Sequence, residues 1–420
     1  MDAVRETLAC LLLLVAGCTK HILVLESRPQ DAATPTDAEG DGALDAGDAS
    51  DDASQPSDAQ PPDDAQLPGT TRLASAFEQT CALREGVTFC WGENDRKQTS
   101  IADEAFLISP RTVAGVGEAV ELCTAEGHSC ALQADGVVVC WGDNSRGELG
   151  TGSTAEHIGV YTIPDLRFRQ VACGGSTTCA VGTDDALYCW GDNTENQVLP
   201  FDMADDTVLS PAPVAPSLAI AQVSVGQGHV CAVSTTGVLY CWGRNSNSQL
   251  GFPRSETDRV DMPRQVGTTE TYLRVMAGLI HTCALRNDAT LWCWGANETG
   301  QLGIQDAVGA VLPETQVALA EPVSSASTSW FHSCAIVQGG ELYCWGRNVE
   351  GQLGTGTTAE VVPTPTRVGD DNDWSHVTVG RFHTCALRGG APYCWGKNER
   401  GQLGIGDTDR RYTPSSVALP

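Results

Sequence analysis

Cysteine gives this chain its widest scope for chemistry: 18 of its 420 residues are Cys. Fourteen fall into close pairs, Cys81/Cys90, Cys130/Cys140, Cys179/Cys189, Cys231/Cys241, Cys283/Cys293, Cys334/Cys344 and Cys385/Cys394. Two thiols so near in sequence can bridge, exchange or hold a metal. Histidine follows the same beat: His128, His229, His281, His332 and His383 each stand two residues before the first Cys of a pair. A ring of His is a conceivable metal site. However, ligands must converge within about 2 Å of one ion, and one His per repeat spreads them around a circle. These histidines therefore read as packing residues with a satisfied hydrogen bond, and no metal is expected.

The elements that position these side chains follow from the repeat. Cys-Trp-Gly occurs seven times, starting at Cys90, Cys140, Cys189, Cys241, Cys293, Cys344 and Cys394. Each unit of about fifty residues carries short β-branched or alternating runs, such as Val137-Val138-Val139 and Gln222-Val223-Ser224-Val225, punctuated by Gly, Asn and Asp. That pattern means several short strands and no helical period. Where two Cys are nine apart, the midpoint is Glu85-Gly86 or Gly389-Gly390, which suits a two-residue hairpin turn. Several of the ten-residue spacings instead centre on three-residue loops ending in Gly, such as Ala134-Asp135-Gly136 and Thr235-Thr236-Gly237, which suit a type I turn with a G1 bulge. Loop length and Cys spacing change together, so each pair stays opposed across its hairpin at a non-hydrogen-bonded site. Seven within-unit disulfides are expected there; the competing reading is Cys as a small buried apolar residue. Cys123 and Cys173 remain unassigned. They either bridge neighbouring units or stay apart, because their places in the two units differ by one residue.

The fullest copy runs His-Thr-Cys-Ala-Leu-Arg-Asn-Asp-Ala-Thr-Leu-Trp-Cys-Trp-Gly-Ala-Asn-Glu-Thr-Gly-Gln-Leu-Gly, from His281 to Gly303. Gln/Glu-Leu-Gly recurs at Glu148, Gln249, Gln352 and Gln402, whereas the first and third copies lack it. This pattern resembles the RCC1 (regulator of chromosome condensation) repeat, over about Thr71 to Pro420. The resemblance implies an all-β, seven-bladed propeller with four-stranded blades. The units at the two ends look partial, at Leu73–Cys81 and Tyr412–Leu419, so a blade shared between the N- and C-terminal strands is expected to close the ring.

Leu8 to Ala16 is a short apolar run, below the about 20 residues that span a bilayer and the length of a signal-peptide core. It ends in Val15-Ala16-Gly17-Cys18, which resembles the bacterial lipobox and implies lipid attachment at Cys18. Glu26 to Thr70 is rich in Asp, Ala and Pro and cannot bury enough apolar area to offset ordering entropy. The expected organisation is a lipoprotein signal peptide over 1–17, a disordered tether over 18–70 and the propeller over 71–420. The formal net charge of −28 repels phosphates and speaks against a nucleic-acid partner.

No nucleophile elbow, phosphate loop, HExxH or dinucleotide fingerprint is present, so no catalytic residue and no cofactor are expected. The seven Trp of Cys-Trp-Gly read as packing residues. Trp292, Trp330 and Trp374 break the repeat, and such a residue can anchor a partner. The divergent stretches 194–213, 252–266 and 304–322 are candidate recognition loops. The function read from these features is a non-enzymatic, monomeric, lipid-anchored protein-binding scaffold of the cell envelope, on the outer membrane or cell surface. The first alternative is guanine-nucleotide exchange, as the RCC1 resemblance implies. The second is a glycan-binding or hydrolytic propeller.

Overall fold

The computed structural model describes residues 71–99, 103–200, 206–305 and 311–420. The segments 1–17 and 18–70, with Cys18, lie outside them. Twenty-eight strands among the described residues form seven four-stranded antiparallel sheets, each in strict chain order. The blades span 72–112, 119–162, 168–214, 220–265, 272–316, 323–367 and 374–416. The fold is the all-β seven-bladed propeller that the repeats imply.

Closure differs from the expectation. No sheet mixes N- and C-terminal strands; the first blade is complete from Arg72 to Thr112 and the last from Trp374 to Ser416. A repeat seen in sequence has no intrinsic phase, so where a blade begins is set by which strands pair. The last blade meets the first by contacts outside any sheet ladder: Ser75 N donates to Thr378 Oγ1 at 2.9 Å, Arg381 N donates to the Phe77 carbonyl at 3.0 Å, and Lys397 pairs with Glu78 at 2.6 Å.

Within a blade, burial falls from the middle outward. The second strand of the fifth blade, His281–Arg286, is buried except at its last residue, whereas the outer strand of the sixth, Val361–Arg367, is not buried at any position. Outer strands are open edges, and proline guards them. Pro110, Pro211, Pro213, Pro263, Pro313, Pro363, Pro365 and Pro414 all lie in outer strands. A residue without N–H is tolerated there and blocks pairing with another sheet.

Paired cysteines face each other directly in the hairpin register, for example Cys81 with Cys90 and Cys231 with Cys241. Their Cα atoms are 4.1 Å apart and their Sγ atoms 2.07 Å and 2.13 Å apart; the other five hairpin pairs are alike. The glycine of Cys-Trp-Gly has its own cause. At Gly92 φ is +97°, and a Cβ there would meet the Glu78 carbonyl oxygen at 2.4 Å, so only Gly fits the bulge into the outer strand.

Candidate functional site

Neighbouring blades are joined by one polar relay. Each Cys-Trp-Gly indole is almost fully buried and donates Nε1–H to a backbone carbonyl of the adjacent blade. The acceptors are Gln98 for Trp141, Glu148 for Trp190, Gln197 for Trp242, Gln249 for Trp294, Gln301 for Trp345, Gln352 for Trp395 and Gln402 for Trp91, all at 2.8–3.0 Å. The first and third copies, which lack Gln-Leu-Gly in sequence, thus supply the same carbonyl from Gln98 and Gln197.

The histidines belong to this relay. His128 Nε2 lies 2.8 Å from Thr178 Oγ1, His229 Nε2 2.9 Å from Thr282, His332 Nε2 2.8 Å from Thr384 and His383 Nε2 2.8 Å from Thr80; His281 meets Ser333 and Thr328. The hydroxyls of Thr178, Thr282, Thr384 and Thr80 donate onward to the carbonyls that also receive the indoles. Each therefore accepts from His, which fixes the Nε2–H tautomer. Nδ1 is left buried without a protein partner, so a proton there would create an uncompensated buried charge. Burial accordingly pushes His128 down to about 4 and His229, His281, His332 and His383 down to about 3. Where the third blade has Thr177 in place of His, the next blade has Val230 and needs no hydroxyl there. The histidines sit one per interface, in packing roles.

Recognition has to be sought where the repeat fails. Strands alternate in direction, so the turns between first and second strands share one face of the ring with the loops between third and fourth strands. Backbone bonds tie them together, as from Glu93 N to Glu78 O and from Arg347 N to Phe331 O. The residue four before the first hairpin Cys of each blade rings the channel mouth: Phe77, Glu126, Gly175, Gln227, Leu279 and Trp330 line a cavity of about 120 Å³, and Arg381 joins the rim by donating its N–H to the Phe77 carbonyl. Leu279, Trp330, Arg381 and Phe77 make one arc apolar and cationic; Glu126, Gly175 and Gln227 make the other polar.

The first arc is a packed cluster. Trp330 meets Phe77 at 5.6 Å and Phe331 at 5.8 Å, edge to face, and Phe331 stacks on Phe382 at 5.6 Å. The Arg381 guanidinium lies 4.4 Å from the Trp330 ring and 4.9 Å from those of Phe77 and Phe382. These side chains are only half-buried. Phe77 holds φ +40°, a left-handed conformation that costs a non-glycine residue and tends to persist at working sites. Of the three Trp outside the repeat, Trp330 alone reaches the mouth. Trp374 is buried against Trp395, and Trp292 lies under the Arg286 guanidinium, 3.7 Å away.

The divergent stretches divide. Thr207–Val214, Arg259–Gln265 and Val311–Gln316 are outer strands, while the described residues 194–200, 252–258 and 304–305 follow the third strands on the mouth face; 201–205 and 306–310 lie outside the described residues. Behind the mouth the channel widens to a cavity of about 380 Å³ lined by inner strands. Glu121 lies on its wall, where burial raises the carboxyl to about 7 against the Val171 N–H it accepts. Among the described residues around channel and mouth, the other carboxylate is Glu126. It is five residues along the chain, roughly 15 Å at strand rise, beyond the roughly 5–9.5 Å of a glycosidase pair. The lining therefore has no acid pair for the hydrolytic reading.

Fold and mouth together define a class, the seven-bladed ring propeller with one irregular face. An RCC1-like domain model matches residues 87–420, and the chain belongs to that family. It is 29% identical to the ultraviolet-B receptor UVR8 of Arabidopsis thaliana over 75% of this chain and 74% of that one. It is 30% identical to the probable E3 ubiquitin-protein ligase HERC3 of Homo sapiens over 40% of this chain, and 33% identical to protein pim1 of Schizosaccharomyces pombe over 32%. These matches span 16% of HERC3 and 26% of pim1. Among solved structures, Prp20p of Saccharomyces cerevisiae, described by its binding to Gsp1p and histones, has a TM-score of 0.70 at 23% identity, covering 82% of this chain and 86% of that one. Human WBSCR16 has 0.71 at 20%, covering 80% and 95%.

These findings correct three expectations. The relatives are proteins of eukaryotic cells, among them the receptor UVR8, the probable ligase HERC3 and the RCC1-type Prp20p, and they overturn the lipid-anchored extracytoplasmic scaffold. The cell-envelope or outer-membrane location falls with it. So does the purely non-enzymatic reading, since the family includes ligases and RCC1-type regulators. The physical reason lies in the weight of the signals. Opposed cysteines say which sulfurs meet, not which compartment holds them, and a tetrapeptide such as Val15–Cys18 carries far less information than seven repeats in register.

Proposed function

We propose that this propeller is a regulator that docks a protein on its mouth face, with guanine-nucleotide exchange on a small GTPase as the activity. The observation that carries the reading is the half-buried cluster of Phe77, Trp330, Phe331, Arg381 and Phe382, set beside the divergent third-to-fourth-strand loops on the same face. Aromatic residues and Arg are the side chains that most often dominate protein interfaces. Family membership and the Prp20p description, with its Gsp1p, support a GTPase as partner.

Exchange needs no nucleophile or acid from the propeller. A partner that binds the nucleotide-free GTPase more tightly than the loaded one shifts the equilibrium and speeds release. Residues 71–420 form the docking domain in this proposal. The test is release of a fluorescent GDP analogue from a purified Ran-class GTPase, with and without the full chain. Acceleration of at least about tenfold is expected, lost in Trp330→Ala/Arg381→Ala at unchanged melting temperature. Unaltered release by the folded wild-type chain sinks the exchange reading.

A further inference from the structure

The seven hairpin disulfides are sealed: their cysteines are 0–1% exposed. Cys123 and Cys173 are placed differently. They come from the inner strands Ala119–Thr124 and Phe168–Gly174 of two neighbouring blades, and their Sγ atoms are bonded to each other. Both line the channel cavity, Cys173 also lines the mouth, and Cys173 is the more exposed of the two.

A second disulfide lies beside them. Cys123 faces Cys130 directly across one strand pair, and Cys130 faces Cys140 across the next. Residues directly opposed in a sheet point to the same side, so the three sulfurs form a row. The Sγ atoms of Cys123, Cys130 and Cys173 all lie within 4.8 Å of one another.

We propose that Cys123–Cys173 is a thiol-exchange site, open through the channel to small thiols of the glutathione class. The thiolate of such a molecule attacks Sγ of Cys173. A bond forms between the two sulfurs, the Cys173–Cys123 bond breaks, and its electron pair leaves on Cys123, which takes a proton from water. A second small thiolate then attacks the small-molecule sulfur of the mixed disulfide, releasing the oxidised dimer and the Cys173 thiolate. Overall, one protein disulfide is reduced and two small thiols are oxidised. The freed Cys123 has one neighbouring disulfide within reach: attack on Cys130 forms Cys123–Cys130 and releases Cys140.

Access decides the order of reaction. Exchange requires the attacking thiolate to reach a sulfur along the S–S axis. Cys173 lines the channel and its mouth and is part-exposed without unfolding, whereas each hairpin bridge is sealed and must wait for its blade to open. The site does not rest on the nucleotide-exchange activity proposed above.

Glutathione is the probe. The folded full chain is treated with it, quenched with an alkylating agent and mapped by peptide mass spectrometry. A glutathione adduct on Cys173 is expected first, with free thiol at Cys123, or at Cys140 after exchange with Cys130, appearing at least about tenfold faster than at any cysteine of the other six hairpins. In Cys173→Ser, where Cys123 is already free, label is expected to divide between Cys123 and Cys140 and to spare the other hairpins. Cysteines of the other six hairpins that react as fast as Cys123 and Cys173 would overturn the proposal. So would a Cys123–Cys173 bridge that resists glutathione until the circular dichroism of the fold is lost. A Cys123→Ser/Cys173→Ser variant, checked by the same spectrum, must take up no glutathione while folded.

Discussion

Two parts of the ring lie within a few residues of each other and obey opposite rules. Between blades, the His–Thr–carbonyl–Trp relay is built nearly the same way at each interface, and deviations are matched, as with Thr177 and Val230. At the mouth, the residue four before the first hairpin Cys is different in all seven blades: Phe77, Glu126, Gly175, Gln227, Leu279, Trp330 and Arg381. A contact that closes a ring must be reusable, so it repeats. A surface that singles out one partner must break the seven-fold equivalence, so it cannot.

The comparison breaks first on acid. In the folded ring five histidines are held neutral, with values of about 3 to 4 against an ordinary 6.5. Their folded values lie below the unfolded one, so the unfolded chain binds more protons. The stability these five contribute is therefore full above about pH 6.5 and falls as pH drops from there toward 3, offset by one group of opposite sign, Glu121, whose raised value lets the folded chain hold an extra proton below about pH 7. Each histidine contributes about 1.4 kcal/mol per pH unit in that window, so urea unfolding at pH 7 and pH 5.5 should differ by several kcal/mol. His229→Gln, which installs the residue type that Gln79 provides in the first blade, should remove about one fifth of the five-histidine contribution to the pH slope. An unchanged slope would mean that these rings do not titrate on unfolding.

Next in size is a single relay member. Trp395→Ala removes a fully buried indole and its bond to the Gln352 carbonyl, and should cost about 3–5 kcal/mol by denaturant midpoint, with partner affinity per folded molecule retained. Trp330→Ala should show the reverse: about 2 kcal/mol lost in partner binding by calorimetry and less than about 1 kcal/mol in stability. If Trp330→Ala destabilises as much as Trp395→Ala, the mouth is structural and the contrast between the two regions fails. The smallest effect is expected from the segment before Arg259–Gln265. Replacing residues 253–257 by a short turn should leave the melting temperature almost unchanged and weaken binding by less than Trp330→Ala does, because it flanks the cluster without belonging to it.

Several features were legible in the chain alone. Cys-Trp-Gly at steps near fifty residues fixes seven blades, and the turn at Glu85-Gly86 or Ala134-Asp135-Gly136 fixes the hairpin register, so the opposed cysteines follow. These are local facts: a hairpin has one register once its loop length is known. The tertiary structure decided the rest. It set the phase of the blades, which are contiguous and not shared, because pairing of outer strands has no local signature. It gave Gln98 and Gln197 the role of the missing Gln-Leu-Gly, because a backbone carbonyl can serve whatever side chain it carries. It brought Cys123 to Cys173, and Phe77 to Trp330 and Arg381, across 50, 253 and 304 residues of chain. No periodicity announces such meetings; they exist only once the ring has closed and the ends of different blades share one rim.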